Sequence, residues 1–536
     1  MLPEEPTEPS RNGRFRIVAI AGLALVAAVA CRPPAVYAQT EIAAWGWGAN
    51  NHGQLGDGTL EPRLTPVLVQ NSSGFTAVAA GDLHSLALKD DGTVRAWGFN
   101  LFGQLGDGTT DERHTPVQVQ NLSGVRAIAS GADHSLALKS DGTVWAWGRN
   151  RFGQLGDGTT DERHSPVQVQ NLSGITAVAA GDSYSLALRD DGTVWAWGAN
   201  FVGELGDGTT TDRHTPVQVQ NLSGVTAIAC GDNHSLAVKS DGSAWAWGNN
   251  DKGQLGDGTP SVRLTPVQVL NLSGVKLSAG GHSYSLALER DGTVWAWGWN
   301  VGGQLGDGGN MDRHTPVQVG PAPHLSEVTA IAAHTAHSLS LRSSGTVQAW
   351  GSNSAGQLGD GTTFDRSFPV QAENLIEATA IAVGTAHSLA VGTLRPPQLT
   401  VFKILKHPDA NHLRLFNLQI DGVTVRANVN SGSTGPQTMS PGNHTVSEKG
   451  GTGTSLSDFG TVIGGDCAAD GSVSLAAGDF KICTITNFDH SGGCRSAGAP
   501  PRRSVCCEPG DGTEDCQPPN CSSACQKCSP AGGECN

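Results

Sequence analysis

Three sets of side chains recur along this chain at spacings that could support chemistry. The first is a carboxylate series, Asp57, Asp107, Asp157, Asp207, Asp257, Asp307 and Asp360, each inside a Leu-Gly-Asp-Gly core. Such a ring could ligate calcium, a hard cation that takes oxygen donors. Each Asp is followed by an Arg, in order Arg63, Arg113, Arg163, Arg213, Arg263, Arg313 and Arg366. One Arg per Asp favours a structural ion pair, with the Asp also capping its own turn. The second set is His84, His134, His234, His337 and His387, with Tyr184 and Tyr284 at the same repeat position. Imidazoles could hold a metal. Tyr replaces two of them with no other change in the motif, which favours a half-buried, hydrogen-bonded polar ring. The third set is Phe99, Phe102, Arg149, Arg151, Phe152, Phe201 and Trp299, at variable positions of a W-G-x-N-x-x-G motif. If those loops share one rim, aromatics beside Arg form what a recognition patch needs.

A catalytic constellation is not legible. The repeats contain no Gly-x-Ser-x-Gly elbow, no phosphate loop and no zinc-spaced His pair. A glycan lyase or hydrolase would need convergent carboxylates on one rim, and none can be identified. No metal or cofactor is expected. The pairs Trp145/Trp147, Trp195/Trp197, Trp245/Trp247 and Trp295/Trp297 share a strand face and read as packing between repeats. Cys230 reads as a small buried residue. Asn-Leu-Ser at Asn121, Asn171, Asn221 and Asn271 matches a glycosylation sequon but recurs with the repeat, so it reads first as turn chemistry.

The elements that must position these groups are strands. The Leu-Gly-Asp-Gly cores begin at Leu55, Leu105, Leu155, Leu205, Leu255, Leu305 and Leu358, five steps of 50 residues and one of 53. The extra residues fall in Gly320 to Glu327. Val117 to Gln120 alternates apolar and polar, Val125 to Ala129 is apolar, and His134 to Lys139 alternates again. Asp141-Gly142 is a hairpin signal before Thr143 to Trp147. Four strands in about 50 residues is the size of one propeller blade.

The units W-G-x-N-x-x-G-Q-L-G-D-G-T, then P-V, then G-x-x-H-S-L-A-L-x-x-D-G-T-V-W-A-W-G resemble the repeats of the chromosome-condensation-regulator (RCC1-like) family. The resemblance implies an all-β chain with a seven-bladed β-propeller over residues 42–393. Copy seven breaks off after His387 to Val391, before Arg395-Pro396-Pro397, without its fourth strand. Ile42 to Trp47 looks like that strand, so the N-terminal strand is expected to close the last blade. Closure would remove two open sheet edges.

Residues 1–38 read as a signal peptide. Arg11, Arg14 and Arg16 precede the apolar run Ile17 to Ala30, too short to favour a spanning helix, and Val36-Tyr37-Ala38 fits a cleavage site. A lipid anchor at Cys31 is the rival. Residues 394–397 read as a linker. Residues 398–490 resemble the prealbumin-like β-sandwich modules of bacterial surface proteins, through L-T-V-x-K at Leu399 to Lys403, P-G-N-H-T-V-S-E at Pro441 to Glu448, and Gly464 to Asn487. That resemblance implies a Cys467–Cys483 disulfide. Some such modules carry a Lys–Asn isopeptide bond, and Lys403 and Asn487 stand near the matching ends, but the disulfide is expected to take its place. Residues 491–536 hold eight cysteines, Cys494, Cys506, Cys507, Cys516, Cys521, Cys525, Cys528 and Cys535. With few large apolar residues this tail is expected to be disulfide-stapled, the alternative being half a zinc site at Cys525 and Cys528.

A net charge of −15 argues against a nucleic-acid partner. The expectation is a secreted or cell-surface, monomeric, non-enzymatic scaffold that binds a protein or a surface glycan through the propeller rim, with no membrane span. The alternative implied by the RCC1-like resemblance is guanine-nucleotide exchange on a small GTPase. An exported protein would not meet a cytosolic GTPase, and fold alone is weak warrant for activity.

Overall fold

The computed structural model describes residues 42–321, 325–394, 398–406, 415–429, 431–440, 442–451, 456, 459–475 and 480–489. The expected signal peptide with Cys31, most of the linker and the Cys-rich tail lie outside these residues. Among the described residues no helix is long and apolar enough to cross a membrane.

The repeats form seven four-stranded antiparallel sheets. The first complete blade runs outward through Phe75–Ala80, His84–Lys89, Val94–Gly98 and Arg113–Gln118. Its second and third strands meet at Asp91-Gly92, where Asp91 Oδ1 accepts from the Thr93 amide at 2.9 Å and its hydroxyl at 2.6 Å. Gly92 supplies the positive φ of 76° that this turn needs. Each outermost strand carries a proline (Pro66, Pro116, Pro166, Pro216, Pro266, Pro316 or Pro369), and a register shift interrupts its pairing, as between Ala96 and Gly98. Proline and a bulge both blunt an exposed strand edge.

The sheets cut the repeat at a different place from the sequence period. The strand after each W-G-x-N loop joins the blade before it rather than the one after. The closing blade therefore takes Leu375–Val383 and His387–Leu394 from one end of the propeller and Ala43–Gly48 and Arg63–Leu68 from the other. The expected N-terminal strand is in place, with Trp47 opposite Ser388 and Gly48 opposite His387. A second strand, Arg63–Leu68, follows it into the same sheet.

Tryptophan joins the blades. Trp147 is fully buried among Leu86, Leu88, Val94 and Leu105 of the preceding blade, and its indole N–H donates to the Gln104 carbonyl at 2.8 Å. A Cβ added to Gly106 would lie 2.8 Å from that indole nitrogen, which explains the glycine. Trp47 repeats the arrangement across the closure, packing on Leu339, Leu341, Val347 and Leu358 and donating to the Gln357 carbonyl at 2.9 Å. Burying an aromatic of this size stabilises by about 2–3 kcal/mol.

Residues from Gln398 onward form two further sheets with a shared core of Leu399, Val401, Leu418, Ile420, Val446 and Ile485. The first strand, Gln398–Lys406, runs parallel to the last, Phe480–Asp489. Cys467 and Cys483 are joined by a disulfide.

Candidate ligand-binding face of the propeller

Each W-G-x-N loop is held by a polar clamp. In the second loop Asp107 Oδ1 accepts from the Thr109 amide at 3.0 Å and hydroxyl at 2.7 Å, and Oδ2 accepts from Arg113 Nε at 2.8 Å. Asn100 Nδ2 donates to the Thr109 carbonyl, and Asn100 Oδ1 accepts from the Leu105 amide. All seven Asp–Arg pairs lie within 2.6–2.8 Å. Burial opposes the Asp107 charge, but the Thr109 and Arg113 hydrogen bonds outweigh it and hold the carboxyl below its ordinary value. The carboxylates are occupied in shaping the loops.

Beneath the loops the His and Tyr side chains form a belt around the whole ring. His84 Nε2 lies 3.0 Å from Ser135 Oγ of the next blade, and the same pairing recurs at His134–Ser185, His234–Ser285 and His337–Ser388. Tyr184 and Tyr284 make the equivalent contacts to Ser235 and Ser338. His387 to Ser85, at 3.1 Å, closes the circle. Ser135 Oγ donates to the Gln104 carbonyl, so it accepts from His84 Nε2–H, which assigns the tautomer. Each His Nδ1 is then left buried without a partner. Burial drives the His84 pKa down to about 3. The polar ring expected as half-buried is fully buried, because each His or Tyr lies between two blades.

At the axis, backbone hydrogen bonds link successive blades, from Asp82 to Ala132, Ala132 to Asp182, Asp182 to Asp232, Asp232 to Gly281 and His282 to Thr335. Side chains take over near the closure, where Thr335 Oγ1 donates to Thr385 Oγ1 and Thr385 Oγ1 to Asp82. The mouth is acidic. His282 pairs with Asp232 at 2.6 Å and His334 with Asp82 at 3.5 Å. Burial, then the charges of Asp232, Asp82 and Asp133, push the Asp182 pKa up to about 6.

The rim adjoins this mouth. The Arg149 amide donates to the Asp133 carbonyl, and the Phe99 amide donates to that of Leu83. Across neighbouring blades the rings form a run. His52 and Phe99 lie 5.0 Å apart edge-on, Phe99 and Phe102 6.3 Å apart, and the Arg149 guanidinium sits 4.8 Å over Phe102. Arg151 sits 5.4 Å over Phe152, which meets Phe201 edge-on at 5.0 Å. Asp133 fixes Arg149 through a 3.0 Å ion pair. Leu101 and Phe201 are exposed, at 58% and 56%. Six of the seven residues singled out in the sequence thus share this run. Trp299 stands apart, against His282 at 6.1 Å. Sequence reasoning missed Asp133 and the acidic mouth. Their signal was the residue or two after the repeat glycine, which is Asp in four copies, at Asp82, Asp133, Asp182 and Asp232.

The family model for the regulator of chromosome condensation (RCC1) repeat matches residues 43–88, 91–138, 141–188, 191–238, 241–288, 291–341 and 344–391, more than half of the chain. The chain belongs to the RCC1-repeat family. Among curated RCC1-repeat relatives, it is 48% identical over 50 residues to RCC1 domain-containing protein 1 of Mus musculus, covering 9% of this chain and 13% of that protein. It is 36% identical over 73 residues to Protein RCC2 homolog of Xenopus laevis, covering 13% of this chain and 14% of that protein. These matches span about one seventh of those proteins' length. Among solved structures, human WBSCR16 superposes with a TM-score of 0.60 at 25% identity, covering 66% of this chain and 99% of its own. Prp20p of Saccharomyces cerevisiae, described with its binding properties toward Gsp1p and histones, superposes with a TM-score of 0.59 at 24% identity, covering 66% and 92%. That likeness shows the RCC1 fold.

Proposed function

We propose that this protein is a non-enzymatic, secreted or cell-surface binding scaffold, and that its ligand, a protein or surface glycan, docks on the rim around Phe99, Phe102, Arg149, Arg151, Phe152 and Phe201. The observation that carries this reading is the run of rings and guanidinium groups across adjacent blades on one face. A structural role alone would bury these side chains. Instead Phe201 is exposed against Phe152, and Leu101 is exposed next to Phe102, over which the Asp133-paired Arg149 guanidinium sits, the composition of an interaction surface. The expected leader at residues 1–38 and the disulfide support an extracytoplasmic setting.

The test combines Phe99→Ala, Arg151→Ala and Phe201→Ala and screens the protein against glycan and extracellular-protein arrays. Loss of every specific signal with an unchanged melting curve supports the rim. Retained signals contradict it. A parallel nucleotide-release assay on small GTPases tests the exchange-factor alternative, and accelerated release would replace the present reading.

A further inference from the structure

Five copies of the repeat present one surface triplet. Asn71-Ser72-Ser73, Asn121-Leu122-Ser123, Asn171-Leu172-Ser173, Asn221-Leu222-Ser223 and Asn271-Leu272-Ser273 each stand between the outermost strand of one blade and the innermost strand of the next. In every triplet the Asn and the last Ser are exposed, and the residue between them is buried. The Ser140 amide donates to the Gly124 carbonyl at 2.9 Å, and the Val125 amide to that of Gly92 at 3.0 Å. The triplets therefore lie beside the Asp-Gly hairpins. The rim loops leave the other end of the blades. The strand Arg113–Gln118 separates the loop of Phe99 and Phe102 from Asn121, about 20 Å of extended chain.

Turn chemistry accounts for the Asn of the triplet but not for its last Ser. The five Asn residues have φ between 53° and 56°, a left-handed conformation that Asn adopts at low cost. Asn374 holds the same place in the seventh copy with φ of 61°, yet two positions on the residue is Ile376. There the Ala378 amide still donates to the Gly345 carbonyl at 2.9 Å, the counterpart of Val125 to Gly92. The turn thus forms without a hydroxyl at that position. Asn-x-Ser with x other than Pro is the acceptor sequence for an N-linked glycan. Two other triplets show what a fold-bound version looks like. In Asn233-His234-Ser235 the Ser is fully buried and donates to the Glu204 carbonyl at 2.8 Å. Asn443-His444-Thr445 lies in a paired strand, with Asn443 opposite Ser474 and Thr445 donating to Asp421.

We propose that Asn71, Asn121, Asn171, Asn221 and Asn271 are N-glycosylation sites, so that five successive turns carry sugar on the face opposite the rim. This rests on the extracytoplasmic part of the function proposed above, because the donor is an oligosaccharide on a lipid pyrophosphate, transferred by a membrane enzyme. The Asn Nδ2 attacks the first sugar carbon of that donor. The Nδ2–C1 bond forms, the bond from C1 to the pyrophosphate oxygen breaks, and the lipid pyrophosphate leaves. One amide proton passes to solvent, and no oxidant or reductant is needed. The exposed Ser or Asn can be reached without unfolding the blade, whereas Ser235 cannot. The sixth copy has Gly320-Pro321 in place of the triplet and the seventh lacks the Ser, so the coat spans five turns and stops at the blades nearest the closure. A hydrated sugar layer on that face blocks docking there and leaves the rim open to a partner.

Tryptic mapping of the full-length protein from its native host tests the proposal, because each site falls on its own peptide: 64–89, 114–126, 164–189, 214–239 and 264–276. The expected result is that all five peptides are heavier than their bare mass by a common oligosaccharide and release sugar fragments. Ser123→Ala is expected to strip peptide 114–126 to below detection of sugar while the other four stay modified and the melting curve is unchanged. Asn221→Gln is expected to leave peptide 214–239 bare, and sugar retained there would place it on Asn233 and overturn the assignment to the turns. Five bare peptides in a wild-type chain that begins at Gln39 would overturn the glycosylation and leave the extracytoplasmic reading standing. Five bare peptides in a chain that still carries residues 1–38 would overturn both.

Discussion

His387 Nε2 lies 3.1 Å from Ser85 Oγ, across 302 positions of the chain. Through this contact the last repeat repeats toward the first what every blade does to its successor. The propeller is thus a closed hydrogen-bonded circle as well as a stack of sheets, and acid is its weak point. Four belt histidines, His84, His134, His337 and His387, have pKa values lowered from 6.5 to about 3, and His234 to about 4. A folded-state pKa below the unfolded value means that the unfolded chain binds protons first as pH falls. Stability from each group is complete above pH 6.5 and is lost toward the folded pKa, at about 1.4 kcal/mol per pH unit. Denaturant midpoints are expected to fall steeply between pH 6.5 and 4. His134→Tyr, the residue already used in two sister blades, should flatten that slope by about one proton. An unchanged slope would contradict the belt.

Glu204 points the other way with pH. It stands where the other blades carry Gln, and its Oε1 is buried without a partner. Burial raises its pKa. Above that value the buried charge destabilises the fold, and protonation relieves it as pH falls. Glu204→Gln is expected to stabilise by about 1–2 kcal/mol at pH 8, with the gain shrinking toward pH 5. Thermal melts of both forms across this range measure it, and a pH-independent difference would refute the account.

Trp47 tests the closure. It is fully buried in the neighbouring blade and donates to the Gln357 carbonyl. Trp47→Ala is expected to cost about 3–5 kcal/mol by urea unfolding, as for a large core aromatic. Deleting residues 42–48 should lower the melting temperature further, because it also unpairs His387–Leu394. A deletion variant that melts with the wild type would show that the ring does not need this strand.

The Asp–Arg clamps should make calcium irrelevant to stability. Asp157→Ala is expected to cost about 1–3 kcal/mol, discounted because Arg163 is one-third exposed. Calcium or chelator should leave the wild-type melting temperature unchanged, and a calcium-dependent rise would return the carboxylates to a metal role.

Much of this was legible in the sequence because the repeat compares the chain with itself. The 50-residue step, the strand alternation and the Asp–Arg pairing all follow from residues that recur in every copy. The blade boundary was not legible. Periodicity fixes a unit's length but not where a sheet begins, and the Arg113–Gln118 strand pairs backward for reasons of register. The depth of the His belt was hidden too, because a polar residue in an alternating strand reads as facing water. Among rim residues, Phe99 and Phe201 could be named from their variability. Asp133 could not, since its value lies in reaching Arg149, which is a matter of three-dimensional placement.

The most direct test of the central claim is ligand retention by three immobilised forms of the protein, namely wild type, the Phe99→Ala, Arg151→Ala, Phe201→Ala variant, and Phe364→Ala as a surface control. Phe364 is exposed at 70%, belongs to the loop before the outermost strand of its blade, and is not one of the rings of the run. The account expects wild type and Phe364→Ala to retain the same specific ligand, and the rim variant to lose at least about tenfold in affinity, or about 1.4 kcal/mol. Equal retention by all three forms would contradict it.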